Sequence, residues 1–204
     1  ESNAGTISNH LIALADKDVA VTIVNPAILA SVSSLQKPEG IICILPKISV
    51  PSGTFKRYVL LEDVQDPYNV GTIIRTADAA GFDCVVTSAK TADIYNEKVL
   101  RGSMGSVFHL PIYQVESLLD YVQQLKNQSI TIIGTSLTGS SLWEREPLSG
   151  SFAIVMGNES KGMSHEMGEC CDILLKIPIL GQAESLNVAT AAGIIMYDLV
   201  RDLK

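Results

Sequence analysis

Charge is scarce in this chain. Asp, Glu, Lys and Arg fill 18% of 204 positions, whereas hydrophobic residues fill 47%. Soluble domains usually carry about 25% charged residues. This balance excludes an extended disordered chain and implies that another chain covers some apolar surface. Basic residues are outnumbered, 15 against 22, and the net charge is −7. That removes the broad cationic surface on which nucleic-acid binding usually rests. The imbalance is uneven, with residues 1–57 at net +1 and the rest at −8. Any contact with RNA must therefore rest on local patches.

Several signatures are missing. The four cysteines are Cys43, Cys84, Cys170 and Cys171. They form no C-x-x-C, and the adjacent pair is badly placed for mutual bonding. Reduced, buried thiols of a cytoplasmic protein are expected. The three histidines are scattered and no H-E-x-x-H occurs, so no metal is expected. No hydrolase triad can be assembled from spacing. No G-x-G-x-x-G follows a strand and no G-x-x-x-x-G-K-[ST] occurs, which removes the best support for a dinucleotide fold and a P-loop. No run of about 18 apolar residues and no basic-plus-apolar leader is seen, so neither a membrane span nor a secretory signal is expected. No internal repeat or low-complexity tract is found.

What remains is an alternation of short apolar strands and helices. Residues 1–50 read as a partial unit. Asn9–Ala15 resembles a helical end, Val19–Ile23 and Gly40–Leu45 read as strands, and Pro26–Leu35 as a helix with Pro in its first turn. The turn-rich stretch Pro46–Lys56 reads as a linker. Beyond it, strands are expected at Tyr58–Glu62, Cys84–Ser88, Ile130–Thr135, Phe152–Met156 and Ile173–Ile177. Helices are expected at Asn69–Ala80, ended by Gly81, and at Glu97–Arg101, Glu116–Lys126, Ser164–Glu169 and Ala189–Leu203. Such alternation predicts a parallel α/β sheet flanked by helices. Its site should lie beyond the carboxyl ends of the strands.

Polar and glycine residues collect after three of these strands. The segments are Asp66–Ala77, Gly157–Gly162 and Pro178–Ala189. Each has a structural explanation when taken singly. Asn69 could cap a helix and Arg75 could pair with Asp78 or Glu62. Glu159 could be solvated, and Ser185 could be an N-cap. Three such loops in one small domain favour a single pocket.

NVGTIIRTADAAG, IVMGNESKG and IPILGQAESLNVATAAGIIMYD resemble the three ordered motifs of the SpoU/TrmH family of RNA ribose 2′-O-methyltransferases, in the SPOUT superfamily. The segment Arg101–Gly105 resembles a fourth, weaker one. The likeness runs from about residue 57 to 204. Residues 1–50 resemble the later part of a ribosomal-protein-L30e-like substrate-recognition domain.

The resemblance implies a parallel α/β domain with a C-terminal trefoil knot, S-adenosylmethionine as cofactor, structured RNA (rRNA or tRNA) as substrate, and a homodimer with the site near its interface. By motif position Gly157, Ile177 and Leu186 would contact the cofactor, with Thr135 a further candidate. Asn69, Arg75, Glu159, Ser185 and Asn187 fall on polar active-site positions. Arg75 would activate the ribose hydroxyl or clamp a phosphate, since a guanidinium stays protonated at ordinary pH. Ser160 and Ser106 depart from the residues frequent in the family, Gly and Ala. Two alternatives stand beside this reading: a non-catalytic RNA-binding protein that keeps the fold, and a Rossmann-like small-molecule enzyme.

Overall fold

The computed structural model describes residues 14, 17, 19–35, 40–48, 50 and 53–201. The chain divides into two units, Glu1–Lys47 and Ile48–Lys204. The first contains helix α1 (Pro26–Val32), started by Asn25, whose Oδ1 accepts from the Ile28 N–H at 2.9 Å. None of its residues is buried. The strands expected at Val19–Ile23 and Gly40–Leu45 do not form. A strand is held by burying one face. Ile23 and Ile44 are 93% and 95% exposed, so no such face exists here. The helical end expected at Asn9–Ala15 lies outside the described residues, Leu14 apart.

The second unit carries six parallel strands: β1 (Arg57–Leu61), β2 (Cys84–Ser88), β3 (Ile112–Val115), β4 (Thr131–Ser141), β5 (Phe152–Met156) and β6 (Ile173–Lys176). Their order across the sheet is β3-β2-β1-β5-β4-β6, and every pairing is parallel. The helices between them are α2 (Pro67–Ala79), α3 (Glu97–Gly102), α4 (Leu118–Asn127) and α5 (His165–Cys170), with α6 (Val188–Val200) closing the chain. Strand alternation divides the core into two layers. Val59 and Leu61 face a cluster with Ile73, Ile74, Ala192 and Met196 from α2 and α6. Tyr58 and Leu60 face Leu118, Val122, Leu125 and Met167 from α4 and α5. All four cysteines are free. Cys84 is buried and Cys170 and Cys171 are half-buried, but Cys43 is exposed, against expectation.

Differences from the expected elements have local causes. β3 is a four-residue edge strand in which only Ile112 is buried, too short to give a clear alternation. β4 runs six residues beyond Thr135. A register shift between Thr135 and Ser140 returns its polar end to β6, where Ser140 and Ser141 pair with Leu175 and Lys176. Asp66, not Asn69, caps α2, its Oδ1 accepting from the Tyr68 N–H at 2.9 Å. Gly81, past the end of α2, takes the left-handed φ of +74°.

Helices α2 and α3 meet glycine to glycine. A Cβ on Gly71 would lie 2.8 Å from the Val99 carbonyl oxygen and 3.0 Å from the Gly102 Cα. These are backbone atoms that cannot step aside. Gly71→Ala should therefore destabilise the fold by about 1–3 kcal/mol through overpacking. Gly168→Ala, in α5 with nothing within 4 Å of the new Cβ, should be neutral or stabilising. Thermal unfolding of the two variants checks this. Equal melting temperatures would show that α2 and α3 do not pack as described.

Candidate active site

Three loops leave the carboxyl ends of β1, β5 and β6. β1 and β5 are paired in register, Leu61 opposite Met156, and the Glu62 N–H donates to the Met156 carbonyl at 2.9 Å. The loops after them therefore start side by side. The loop after β5 folds back on itself: Asn158 and Gly162 exchange both backbone hydrogen bonds, at 3.0 and 2.9 Å. A Cβ on Gly157 would lie 2.2 Å from the Met163 nitrogen, so this fold-back requires glycine there.

Glu159 stands at the tip of that loop. Its Oε1 accepts from the Asp66 N–H at 2.9 Å and from Asn69 Nδ2 at 3.1 Å. Its Oε2 accepts from the Gln65 N–H at 3.2 Å. Asn69 is buried in the first turn of α2, and its Oδ1 accepts from Asn187 Nδ2 at 2.9 Å. Asn187 in turn caps α6, its Oδ1 accepting from the Ala189 and Thr190 N–H groups at 2.9 and 3.2 Å. One chain of hydrogen bonds thus ties all three loops together.

The direction of this chain is fixed at its origin. An ionised carboxylate only accepts. Asn69 must therefore turn its NH2 to Glu159 and its oxygen to Asn187. Asn187 must then spend its NH2 on Asn69 and keep its oxygen for the helix cap. Burial pushes the Glu159 carboxyl up, but the bonds from Asn69, Asp66 and Gln65 outweigh it and hold the group below its ordinary range.

Beside this network lies a cleft of about 870 Å³ at the ends of β4, β5 and β6. Thr135, Gly157, Ile177 and Leu186 all line it, as do Glu159 and Ser185. Ile177, Ile179 and Leu186 give it apolar walls over a floor that includes Met156 and Leu175. Glu159, Glu169 and Glu184 bring negative charge to its lining, and Lys161 and Lys176 bring positive charge. The Thr135 hydroxyl is spent on the Val155 carbonyl at 3.0 Å, and Thr135 pairs with Leu175 of β6. Asn69 and Asn187 reach the cleft only through Glu159. Among the described residues, no group of three or more His, Cys, Asp and Glu is placed to hold a metal, and no helix is long and apolar enough to cross a membrane.

Arg75 is not brought into the cleft. It lies on the outer stripe of α2, exposed with Tyr68, Thr72 and Ala79 at helical spacing. Its expected ion pairs do not form. Asp78 meets His109 at 3.3 Å, and Glu62 accepts from the Ser164 N–H and hydroxyl at 2.9 and 2.5 Å. No hydrogen bond or ion pair holds the Arg75 guanidinium among the described residues. Nor does Ser185 cap α6, since Asn187 does.

Sequence reasoning gave Asn158 no role. Its Nδ2 donates to the Asp63 carbonyl at 2.8 Å and its Oδ1 accepts from the Ser160 and Lys161 N–H groups at 3.0 and 3.1 Å. The signal was available in Asn-Glu-Ser-Lys-Gly, where Asn followed by Gly marks a turn closed by its own side chain.

The SpoU rRNA Methylase family matches residues 56–197 of this sequence, and the chain belongs to that family. It is 42% identical over 172 residues to the 23S rRNA (guanosine(2553)-2′-O)-methyltransferase RlmP of Bacillus subtilis, covering 83% of this chain and 68% of that one. The AdoMet-bound rRNA methyltransferase from Sinorhizobium meliloti superimposes with a TM-score of 0.80 at 29% identity, covering 98% of this chain and 78% of the other. The AdoMet complex of the SpoU methyltransferase AviRb from Streptomyces viridochromogenes gives 0.68 at 32% identity, covering 74% and 62%. The chain thus spans roughly two thirds to four fifths of these relatives.

The Glu159 carboxyl generates a pH test. A folded pKa held below the unfolded one stabilises the native state above the unfolded pKa of about 4.3, and that contribution is lost as pH falls through the folded value. Glu159→Gln removes it. The variant should melt below the wild type at pH 7, and the gap should close as pH falls below about 4. Melting curves from pH 7 to pH 3 check this; a gap independent of pH would mean that the charge of Glu159 contributes nothing.

Proposed function

We propose that this chain transfers a methyl group from S-adenosylmethionine to a ribose 2′-hydroxyl of structured RNA, rRNA or tRNA. The observation that carries this reading is the cleft at the carboxyl ends of β4, β5 and β6, tied by Glu159, Asn69 and Asn187 to the helix that bears Arg75. The residues fit the cofactor. Ile177, Ile179 and Leu186 suit an adenine ring, and the carboxylates and lysines that share the lining suit a ligand bearing charges of both signs. When bound, S-adenosylmethionine supplies an electrophilic methyl group on a sulfonium.

The chain's own residues divide the remaining work. Gly157, Ile177, Leu186 and Thr135 bind the cofactor, largely through backbone groups. Glu159, Asn69 and Asn187 hold the loops in register, and Ser185 meets the RNA from the cleft wall. Arg75, outside the cleft and without a partner among the described residues, clamps an RNA phosphate next to the target ribose and stabilises the developing alkoxide.

The finer architecture belongs to the same reading. β6 ends at one edge of the sheet, whereas α6 packs on α2 beyond β4 and β5. The connection 177–187 must cross back over the sheet, which supports a trefoil knot. Residues 1–50 would be part of an L30e-like RNA-recognition domain ahead of a catalytic domain at 57–204. The exposed Ile194 and Tyr197 on α6 support a homodimer. The activity needs no metal, and the protein would work in the cytoplasm.

S-adenosylhomocysteine should raise the melting temperature, because it binds the folded state alone. No shift and no calorimetric binding at high ligand concentration would overturn the cofactor assignment; NAD binding instead would favour the small-molecule enzyme. Arg75→Ala should abolish methylation of RNA while leaving cofactor affinity and folding nearly intact. Arg75→Lys should retain little, since an ammonium lacks the planar fork. Single-turnover methylation with saturating RNA checks both, and wild-type turnover in Arg75→Ala would remove Arg75 from the mechanism. Sedimentation should give about twice 21.9 kDa, and a monomer at micromolar concentration would overturn the homodimer.

A further inference from the structure

The chain bends sharply two residues after β1. Asp63 has a φ of +56°, a left-handed conformation uncommon for any residue but glycine. Such outliers persist where the surroundings fix them, and they gather at functional sites.

The surroundings of Asp63 do fix it. Its backbone N–H donates to Ser88 Oγ at 2.9 Å, and that hydroxyl donates back to Asp63 Oδ1 at 2.7 Å. Ser88 and Thr91 are buried and lie 3.0 Å apart through their hydroxyls. Thr91 Oγ1 in turn donates to the Leu61 carbonyl at 3.0 Å. The loop after β2 therefore grips the end of β1 and the bend that follows. On the other side, the Asp63 carbonyl accepts from Asn158 Nδ2. The next two N–H groups beyond Val64, those of Gln65 and Asp66, are the backbone donors to Glu159.

A surface ion pair does not account for Asp63. Lys90 Nζ lies 3.7 Å from Oδ2 and its side chain is 77% exposed, so the pair contributes little. The short contacts are those with Ser88.

We propose that Asp63, clasped by Ser88, is a positioning residue that holds the 63–66 bend in the shape that presents the Gln65 and Asp66 N–H groups to Glu159. The inference rests on the reading of Glu159 as part of a methyltransferase site. Without the clasp the bend is free to relax, and Glu159 loses its two backbone donors while keeping Asn69. The Glu159 loop then shifts against the cleft by a fraction of an ångström, enough to cost turnover.

The test uses the full chain with 13C-labelled glutamate. The Glu159 carboxyl is titrated by NMR in the wild type, Asp63→Gly, Asp63→Asn and Ser88→Ala. Asp63→Gly relieves the left-handed backbone and removes Oδ1 while keeping the N–H bond to Ser88 Oγ, so its effect reports the lost side-chain half of the clasp and not strain. Ser88→Ala removes the clasp from the opposite side and leaves Asp63 in place. Both should raise the Glu159 titration by about half a unit or more. Both should lower single-turnover methylation of RNA from cells lacking the gene by about 10- to 100-fold. Asp63→Asn keeps the Oδ1 acceptor and tolerates this φ, so it should stay near wild type in both measurements. An unmoved Glu159 titration in Asp63→Gly and Ser88→Ala would overturn the proposal, as would a moved titration with wild-type turnover. If the wild type methylates no RNA, the activity reading fails, and the titration alone still decides whether Asp63 acts on Glu159.

Discussion

One carboxylate that can only accept hydrogen bonds organises this site. Glu159 gathers two backbone N–H groups and one amide from the segment after β1, and the amide passes the constraint to the segment after β6. The order of the sheet makes this possible. β1 and β5 are neighbours, so their loops start level, while β6 lies on the far side of β4. The third loop must therefore travel back, and it is fastened where Asn187 both caps α6 and meets Asn69. The cap and the site are the same residue. A change at Asn187 consequently acts on helix stability and on loop position together, and neither effect can be read alone.

Much of this was legible in the sequence, because the polar segments follow apolar strands. Cys84–Ser88 and Phe152–Met156 have the expected bounds, since five buried residues in a row leave no ambiguity. Gly157, Ile177 and Leu186, the cofactor candidates by motif position, and Thr135 at a strand end all line one cleft. What was hidden depends on partners distant in sequence. Pro67, suited to the first helical position, marks Asp66 and not Asn69 as the cap of α2. What Asn69 does instead follows from Glu159, which lies 90 residues away and takes up its amide. Asp63 carries no sequence signal either, because its left-handed bend is set by Ser88 and Asn158. The strands expected near the amino end failed for a different reason. Their apolar pattern was real, but apolar pattern predicts burial only where something covers it, and Ile23 and Ile44 stand exposed.

The acidic balance of the chain is not concentrated at the cleft. Its lining carries Lys161 and Lys176 as well as Glu159, Glu169 and Glu184, so both signs of charge meet there. Arg75 is a further cation, with no internal partner among the described residues. Its neighbours Asp78 and Glu62 are engaged by His109 and Ser164. An arginine kept from its nearby carboxylates retains its full fork for a ligand.

Two charged groups near one site invite the question of which moves the proton. Glu159 is the usual type of base, but its surroundings argue against that role. Three donors within 3.2 Å occupy its two oxygens, and its titration is held below the ordinary carboxylate range. A base works best with a pKa near the operating pH. Lowering the pKa makes the carboxylate a poorer proton acceptor at neutral pH. A proton on either oxygen would also compete with the N–H donors that occupy it. The network that makes Glu159 a good anchor makes it a poor base. On the proposed reading, proton loss from a ribose hydroxyl would be helped from the α2 side, by an alkoxide stabilised at Arg75 and a proton released to solvent or to a phosphate that Arg75 would hold.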